Sequence, residues 1–298
     1  MRGEVLKGAA GCCRVLGVLA VFLAVLSATV RPAVVAFQPP YRIVSLVPAV
    51  TEMLFALGAG HRVVGVSSFD RFPPEVAKIQ KVGALLDPDL ERILSLQPDL
   101  VVLYHTQSDL RKQLERAKVP AYAYSHAGLR DVTATLRSVG NRIGIAARAA
   151  KLATDIESRI DAIRRVSALG PRPRTLIVFG RENYALRGIY ASGGQGFVHD
   201  MVTAAGGQNV FADMKREAVQ ATTELILARR PEIILELRAD PIGPDEEKKE
   251  LAVWRQLASV PAVANRRVHI IADPRTVIPG PRVVEGIEVI AAAIKRQP

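Results

Sequence analysis

Polar and apolar positions along the chain form one pattern that is written twice. LERILSLQPDLVV at residues 90–102 and TELILARRPEIIL at residues 223–235 lie 133 positions apart. Aligned, they pair Glu91 with Glu224, Ile93 with Ile226, Leu94 with Leu227, Pro98 with Pro231 and Asp99 with Glu232. Each gives a short amphipathic helix, a proline stop, an acidic turn and an unbroken apolar run. Such a run is the pattern of a strand buried on both faces of a parallel sheet. A second echo joins TEMLFALGAGHRV (51–63) to VHDMVTAAGGQNV (198–210), each a helix ended by glycine and followed by valine. Two lobes of related design, each too small to enclose a large ligand, predict a cleft between them.

The first lobe runs over residues 41–127, with strands expected at 42–47, 63–66, 100–104 and 121–124 and helices between them. Pro88 after Asp87 starts one of those helices, and Ser108 caps another. Strands alternating with helices at this spacing give a parallel sheet. The pattern then changes: residues 129–169 contain no proline and no strand-like run, and Gly140 and Gly144 divide them into a shorter and a longer helix. In the longer one, 145–167, Ile145, Ala149, Leu152, Ile156, Ile160 and Ile163 fall on one face. A helix of ~23 residues is roughly 35 Å long, enough to cross from one lobe to the other. The second lobe, 172–298, is expected to hold strands at 175–179, 233–237 and 268–271 and a closing helix at 281–295. The predicted fold is α/β: two Rossmann-like lobes with parallel-type sheets, joined by a single long backbone helix, with the ligand cleft between the lobes.

Composition adds a compartment. Arg2, Lys7 and Arg14 precede an uncharged run of 16 residues, Val15 to Val30, which is short for a membrane span and suits the apolar region of an export signal. Residues 1–36 are read as a signal peptide, with cleavage after Ala36, after Ala28, or not at all, the last leaving a membrane anchor. Cys12 and Cys13 are the only cysteines. The exported chain therefore has no disulfide, thiolate metal site or cysteine nucleophile. Net charge is +11, of which residues 1–36 supply +3, and the rest is spread without an aromatic-interleaved basic stripe. No nucleic-acid partner is expected.

The segments 42–76 (RIVSLVPAVTEMLFALGAGHRVVGVSSFDRFPPEV), 90–102, 191–213 (ASGGQGFVHDMVTAAGGQNVFAD) and 280–290 (GPRVVEGIEVI) resemble the periplasmic-binding-protein family for cobalamin, haem and ferric siderophores. The resemblance is nearest to the cobalamin-binding branch, through SLVPAVTE and GVSSFDRFPPEV. It implies a monomeric substrate-binding protein of an ABC importer, capturing cobalamin or a related corrinoid and delivering it to a permease and its ATPase. Haem and ferric siderophores are the alternative ligands, and no cofactor is expected. In similar proteins one acid per lobe docks onto permease arginines, and the matching residues are Glu91 and Glu224. From the residues alone, both are also ordinary first-turn acids that complement a helix dipole.

Connections at the C-terminal ends of parallel strands face the cleft. That rule and the family pattern nominate Pro48, Phe69, Tyr104, His105, Tyr190 and Arg275 for ligand contact. Cobalamin binders often carry tryptophan where this chain has Leu85, Tyr104 or His105, and about Ala218; its only tryptophan, Trp254, is read as core. His105 and His126 end neighbouring strands and are open to ligand contact, but two histidines do not make a bare metal site. An exported α/β enzyme is the competing class. The chain lacks a G-x-S-x-G elbow and a G-x-x-x-x-G-K-[ST] loop, and SGGQG at 192–196 does not fit G-x-G-x-x-G. The expectation is a binding protein and not an enzyme.

Overall fold

A computed structural model of the chain describes residues 38–296; the expected export signal and both cysteines lie outside the described residues. The first lobe is built on β1 (Ile43–Ser45), β2 (Val63–Val66), β3 (Gln80–Lys81), β4 (Leu100–Tyr104) and β5 (Ala121–Tyr124), all parallel, in the order β3-β2-β1-β4-β5. The central strands β1 and β4 are buried along their length except at Tyr104, as continuous apolar runs require. Helices α1 (Pro48–Ala56), α2 (Leu90–Ser95) and α3 (Ser108–Arg116) connect them.

Helices α4 (Leu129–Arg142) and α5 (Ala146–Ser167) follow. The long helix α5 has 22 residues and buries Ala149, Ala153, Ile156 and Ile160, the face its apolar spacing marks out. It is tied to α4 through Arg137–Glu157 at 2.6 Å and to the last helix of the chain through Arg159–Glu285 at 3.4 Å. A single apolar core passes from Ile43 and Val102 of the first sheet through Ile156 to Ile177 and Ile287 of the second lobe. The linking helix is thus part of the core and not a tether beside it.

The second lobe contains β6 (Arg174–Gly180), β7 (Ile189–Ser192), α6 (Phe197–Ala204), β8 (Gln208–Asn209), β9 (Ala218–Ala221), α7 (Thr223–Arg229), β10 (Ile233–Arg238), α8 (Pro244–Val253), α9 (Pro261–Ala264), β11 (Val268–Ala272) and α10 (Val283–Lys295). Its sheet runs β11-β10-β6-β7-β9, with β8 beside β6. Here the expectation of a parallel-type sheet needs correction: β7 is antiparallel to both β6 and β9. The connection 181–188 is too short for a crossover, which needs about a dozen residues or more, so the chain returns as a hairpin.

The repeated sequence folds as a repeated hydrogen-bond circuit. Asp89 caps α2 by accepting the Arg92 N–H, and Thr222 caps α7 by accepting the Leu225 N–H. Gln97 and Arg230 then take left-handed backbone, φ 48° and 47°, immediately before Pro98 and Pro231. The Asp99 carboxylate accepts the N–H groups of Tyr41 and Arg42, and the Glu232 carboxylate accepts that of Arg174. The Arg42 and Arg174 guanidinium groups donate to the last carbonyls of the preceding helices, at Leu96 and Arg229. Each acid therefore fastens the first strand of its lobe to the turn before the buried strand.

Candidate functional site

Between the lobes, at the C-terminal ends of β5, β6 and β10, lies a cavity of about 390 Å³. Phe179, Phe197, Val198, Leu237 and Val277 form its apolar wall; Ser192, Gln195, Glu217 and Arg238 supply polar groups, and His126 reaches it from the first lobe. A larger hollow of about 750 Å³, around Pro173, Glu232 and Lys295, opens at the opposite, N-terminal ends of the second-lobe strands. Open α/β sheets bind at the carboxyl ends of their strands, which selects the smaller cavity.

On the first-lobe side the aromatic rings form a ladder. His126 stacks on Tyr124 with centroids 5.5 Å apart, and Tyr104 meets Tyr124 edge-on at 5.9 Å. Burial pulls the His126 pKa down against the opposing Glu217 carboxylate, which favours a neutral imidazole. Burial pushes the Tyr104 and Tyr124 phenols up, so both remain protonated donors. The loop after β2 carries Phe69, Asp70, Arg71 and Phe72. Asp70 is its anchor: Oδ2 accepts the Ser67 N–H at 2.8 Å, while Oδ1 is buried without a partner among the described residues. Burial raises the Asp70 carboxyl to about 6.

Two ion pairs bridge the lobes. Arg282, just before α10, donates from Nε and Nη2 to the buried Glu52 of α1 at 2.9 and 2.5 Å and lies 3.7 Å over the Phe72 ring. Arg71 reaches Asp240 at 3.4 Å, both well exposed. Behind the second-lobe wall lies a buried network. Arg181 Nε meets Glu236 Oε2 at 3.0 Å and its Nη2 meets Glu250 Oε2 at 2.6 Å; their side chains are 1%, 3% and 0% exposed. Arg238 Nε and Nη2 both fall on Glu236 Oε1, at 3.0 and 2.5 Å, and Trp254 Nε1 donates to Glu236 Oε2. Trp254 is core, as its sequence context indicates.

The six residues nominated for ligand contact are distributed around this cavity and none is in its wall, whereas His126, read as open to ligand contact, is. Pro48 opens α1 beside the end of β1. Tyr104 and His105 end β4, the tyrosine partly buried and the histidine exposed, and Phe69 stands 66% exposed on the β2 loop. Tyr190 is half-exposed on β7. Arg275 is held in a fork by Asp273, with Glu285 and Glu288 of α10 nearby. Sequence reading missed Phe179, Gln195, Glu217 and Arg238. Phe179 and Arg238 could have been found, since each stands at the C-terminal end of a predicted strand. Glu217 could not: β9 was not anticipated. The glycine run at 193–194 makes no anion cradle, because its N–H groups are taken by the Glu217 and Met214 carbonyls. Glu91 and Glu224 are exposed in the first turns of α2 and α7. No group of three or more histidine, cysteine, aspartate or glutamate side chains converges among the described residues.

Known proteins supply a frame for this geometry. A family model described as periplasmic binding protein matches residues 43–274. A vitamin B12-binding protein of Pectobacterium carotovorum is 28% identical over 232 residues, covering 76% of this chain and 81% of its own length. One from Salmonella typhimurium is 30% identical over 241 residues, covering 80% and 86%. Among solved structures, a periplasmic haem-binding protein from Roseiflexus sp. RS-1 superposes with a TM-score of 0.71 at 29% identity, covering 85% of this chain and 97% of that one. These relatives are binding proteins and not enzymes.

Proposed function

Since the chain belongs to the periplasmic binding protein family, we propose that it is the substrate-binding component of an ABC importer, and that its ligand is cobalamin or a related corrinoid held between the lobes. The importer role is supported by a Bacillus subtilis relative, 29% identical over 262 residues, named as an ABC transporter substrate-binding lipoprotein. The observation that carries the ligand reading is the state of the arginines at the cleft. Arg71, Arg238, Arg275 and Arg282 each already face a carboxylate of this chain. Haem brings carboxylates of its own, which would have to compete for those guanidinium groups at a cost in desolvation. A corrinoid presents apolar ring edges rimmed by neutral carboxamides, suited to Phe179, Leu237 and Val277 beside half-satisfied polar groups. Phe69, Tyr104, His105 and Tyr190 are assigned to the outer contacts.

Haem is the second reading, favoured by one observation: the His126 imidazole at the cavity wall, kept neutral by burial, has the form that ligates iron. In this reading the segment 1–36 is an export signal and the chain is periplasmic, and Glu91 and Glu224 are assigned to permease docking, one acid from each lobe fixing the register. The test is a visible spectrum of the purified protein with cyanocobalamin and with haemin, followed by titration calorimetry. Cyanocobalamin binding without haemin binding supports the proposal. The reverse moves the protein to the haem reading.

A further inference from the structure

Beneath the cavity floor the second lobe spends four charges where the first lobe uses hydrocarbon. Two guanidinium groups and two carboxylates, Arg181, Arg238, Glu236 and Glu250, sum to zero and alternate in contact. Three of the four are essentially sealed from solvent, and only Arg238 reaches the surface, at 22% side-chain exposure, where it lines the cavity. Buried ion networks of this kind are seldom more stable than apolar side chains of the same volume. Stability alone therefore does not account for them. The geometry of Arg238 does offer an account. Its Nε and Nη2 are fixed on Glu236, with Nη2 also 3.5 Å from Glu250 Oε1. Among the described residues Nη1 donates to no protein group.

We infer that Arg238 is the polar anchor of the second lobe, presenting Nη1 to a neutral acceptor such as a carboxamide oxygen at the edge of the bound ligand. Arg181 and Glu250 are positioning residues that lock the guanidinium plane. A guanidinium already neutralised by Glu236 keeps its directionality while losing its preference for anions, so the anchor selects for uncharged acceptors. This rests on the corrinoid reading for the ligand's identity but not for the location of the anchor.

The test is titration calorimetry of the full exported chain with cyanocobalamin and with haemin, on wild type, Arg238→Lys, Arg238→Gln and Glu250→Gln, with a thermal melt of each. Arg238→Lys keeps the charge for Glu236 but replaces the fork, so it folds even where Arg238→Gln does not. The expected result is cyanocobalamin binding weakened about tenfold by Arg238→Lys, equal to about 1.4 kcal/mol, and less by Glu250→Gln. Wild-type binding of cyanocobalamin that Arg238→Lys leaves unchanged overturns the anchor and spares the proposed ligand. Binding of haemin alone, weakened by Arg238→Lys, overturns the ligand and the selection for uncharged acceptors and supports only the location of the anchor. Binding of neither compound by the wild type overturns both.

Discussion

The two lobes place different chemistry at one position of the same repeated element. By the 133-residue offset Leu103 of β4 corresponds to Glu236 of β10, and His105 to Arg238. Leu103 is fully buried among Val44, Val82, Ile93 and Leu114. Glu236 is 2% exposed among Arg181, Arg238, Glu250 and Trp254. Both strands hold the same place in their sheets, each beside the first strand of its lobe. The caps, turns and acid-to-backbone circuits that build the unit are equivalent. The difference at this position therefore lies in what each lobe brings to the cleft and not in how the repeated unit folds. The first lobe brings the aromatic ladder that ends at His126; the second brings the apolar wall of the cavity, with a fixed polar network set behind it.

The sharpest way to break this comparison is to remove one charge. Glu236→Ala leaves the Arg181 and Arg238 guanidinium groups with one carboxylate, Glu250, between them in a buried site and should lower unfolding free energy by about 3–5 kcal/mol in urea titration. Replacing Arg181, Glu236, Arg238 and Glu250 together by apolar residues of similar volume should leave stability near wild type. A large loss in that quadruple variant would mean that the network stabilises the lobe after all. At the matching position Leu103→Ala opens a cavity and should cost about 3 kcal/mol. No compensating partner exists there, so no second substitution of a neighbour by a polar residue should rescue it.

Asp70 gives the first lobe a pH dependence. Its folded pKa, about 6, lies above the ordinary carboxylate value of 3.8, so the folded chain holds the proton more tightly than the unfolded chain. The contribution is fully favourable below about pH 4 and is lost as pH rises through 6, when an ionised carboxylate must stay buried. A shift of about two units corresponds to roughly 3 kcal/mol. The stability of wild type relative to Asp70→Asn should therefore fall by about that amount from pH 4 to pH 7, read from urea midpoints at each pH. A flat difference across that window would show that solvent reaches Oδ1.

The smallest effect on stability is expected at the paired acids. Glu91 and Glu224 lie exposed in first helical turns, and the carboxyl pKa of Glu224 is held down by its own backbone N–H and by the Thr222 and Thr223 hydroxyls. The double variant Glu91→Ala, Glu224→Ala should keep its thermal midpoint and its ligand affinity while losing stimulation of the importer's ATPase. Normal stimulation by the double variant would reduce the two acids to helix-end charges.

What the sequence determined by itself is whatever depends on neighbours along the chain. The α/β alternation, the buried strands, the crossing helix within one residue of its observed start, and the proline-stopped turns with their acids are all set by local spacing and by side chains within a few positions. Tertiary structure decided the rest. The hairpin return of β7 follows from a connection too short for a crossover, and it brings Glu217 to the cavity. Arg181, in the connection after β6, is drawn beneath the floor, because Glu236 and Glu250, 55 and 69 positions away, offer it two buried carboxylates. Arg275, nominated for the ligand, is the local exception, claimed by Asp273 two residues earlier. Local pattern fixes which segments are strands and helices because burial periodicity is a property of the segment. Which charged group remains free to meet a ligand depends on every carboxylate that folding brings within reach, and no single stretch of sequence contains that sum.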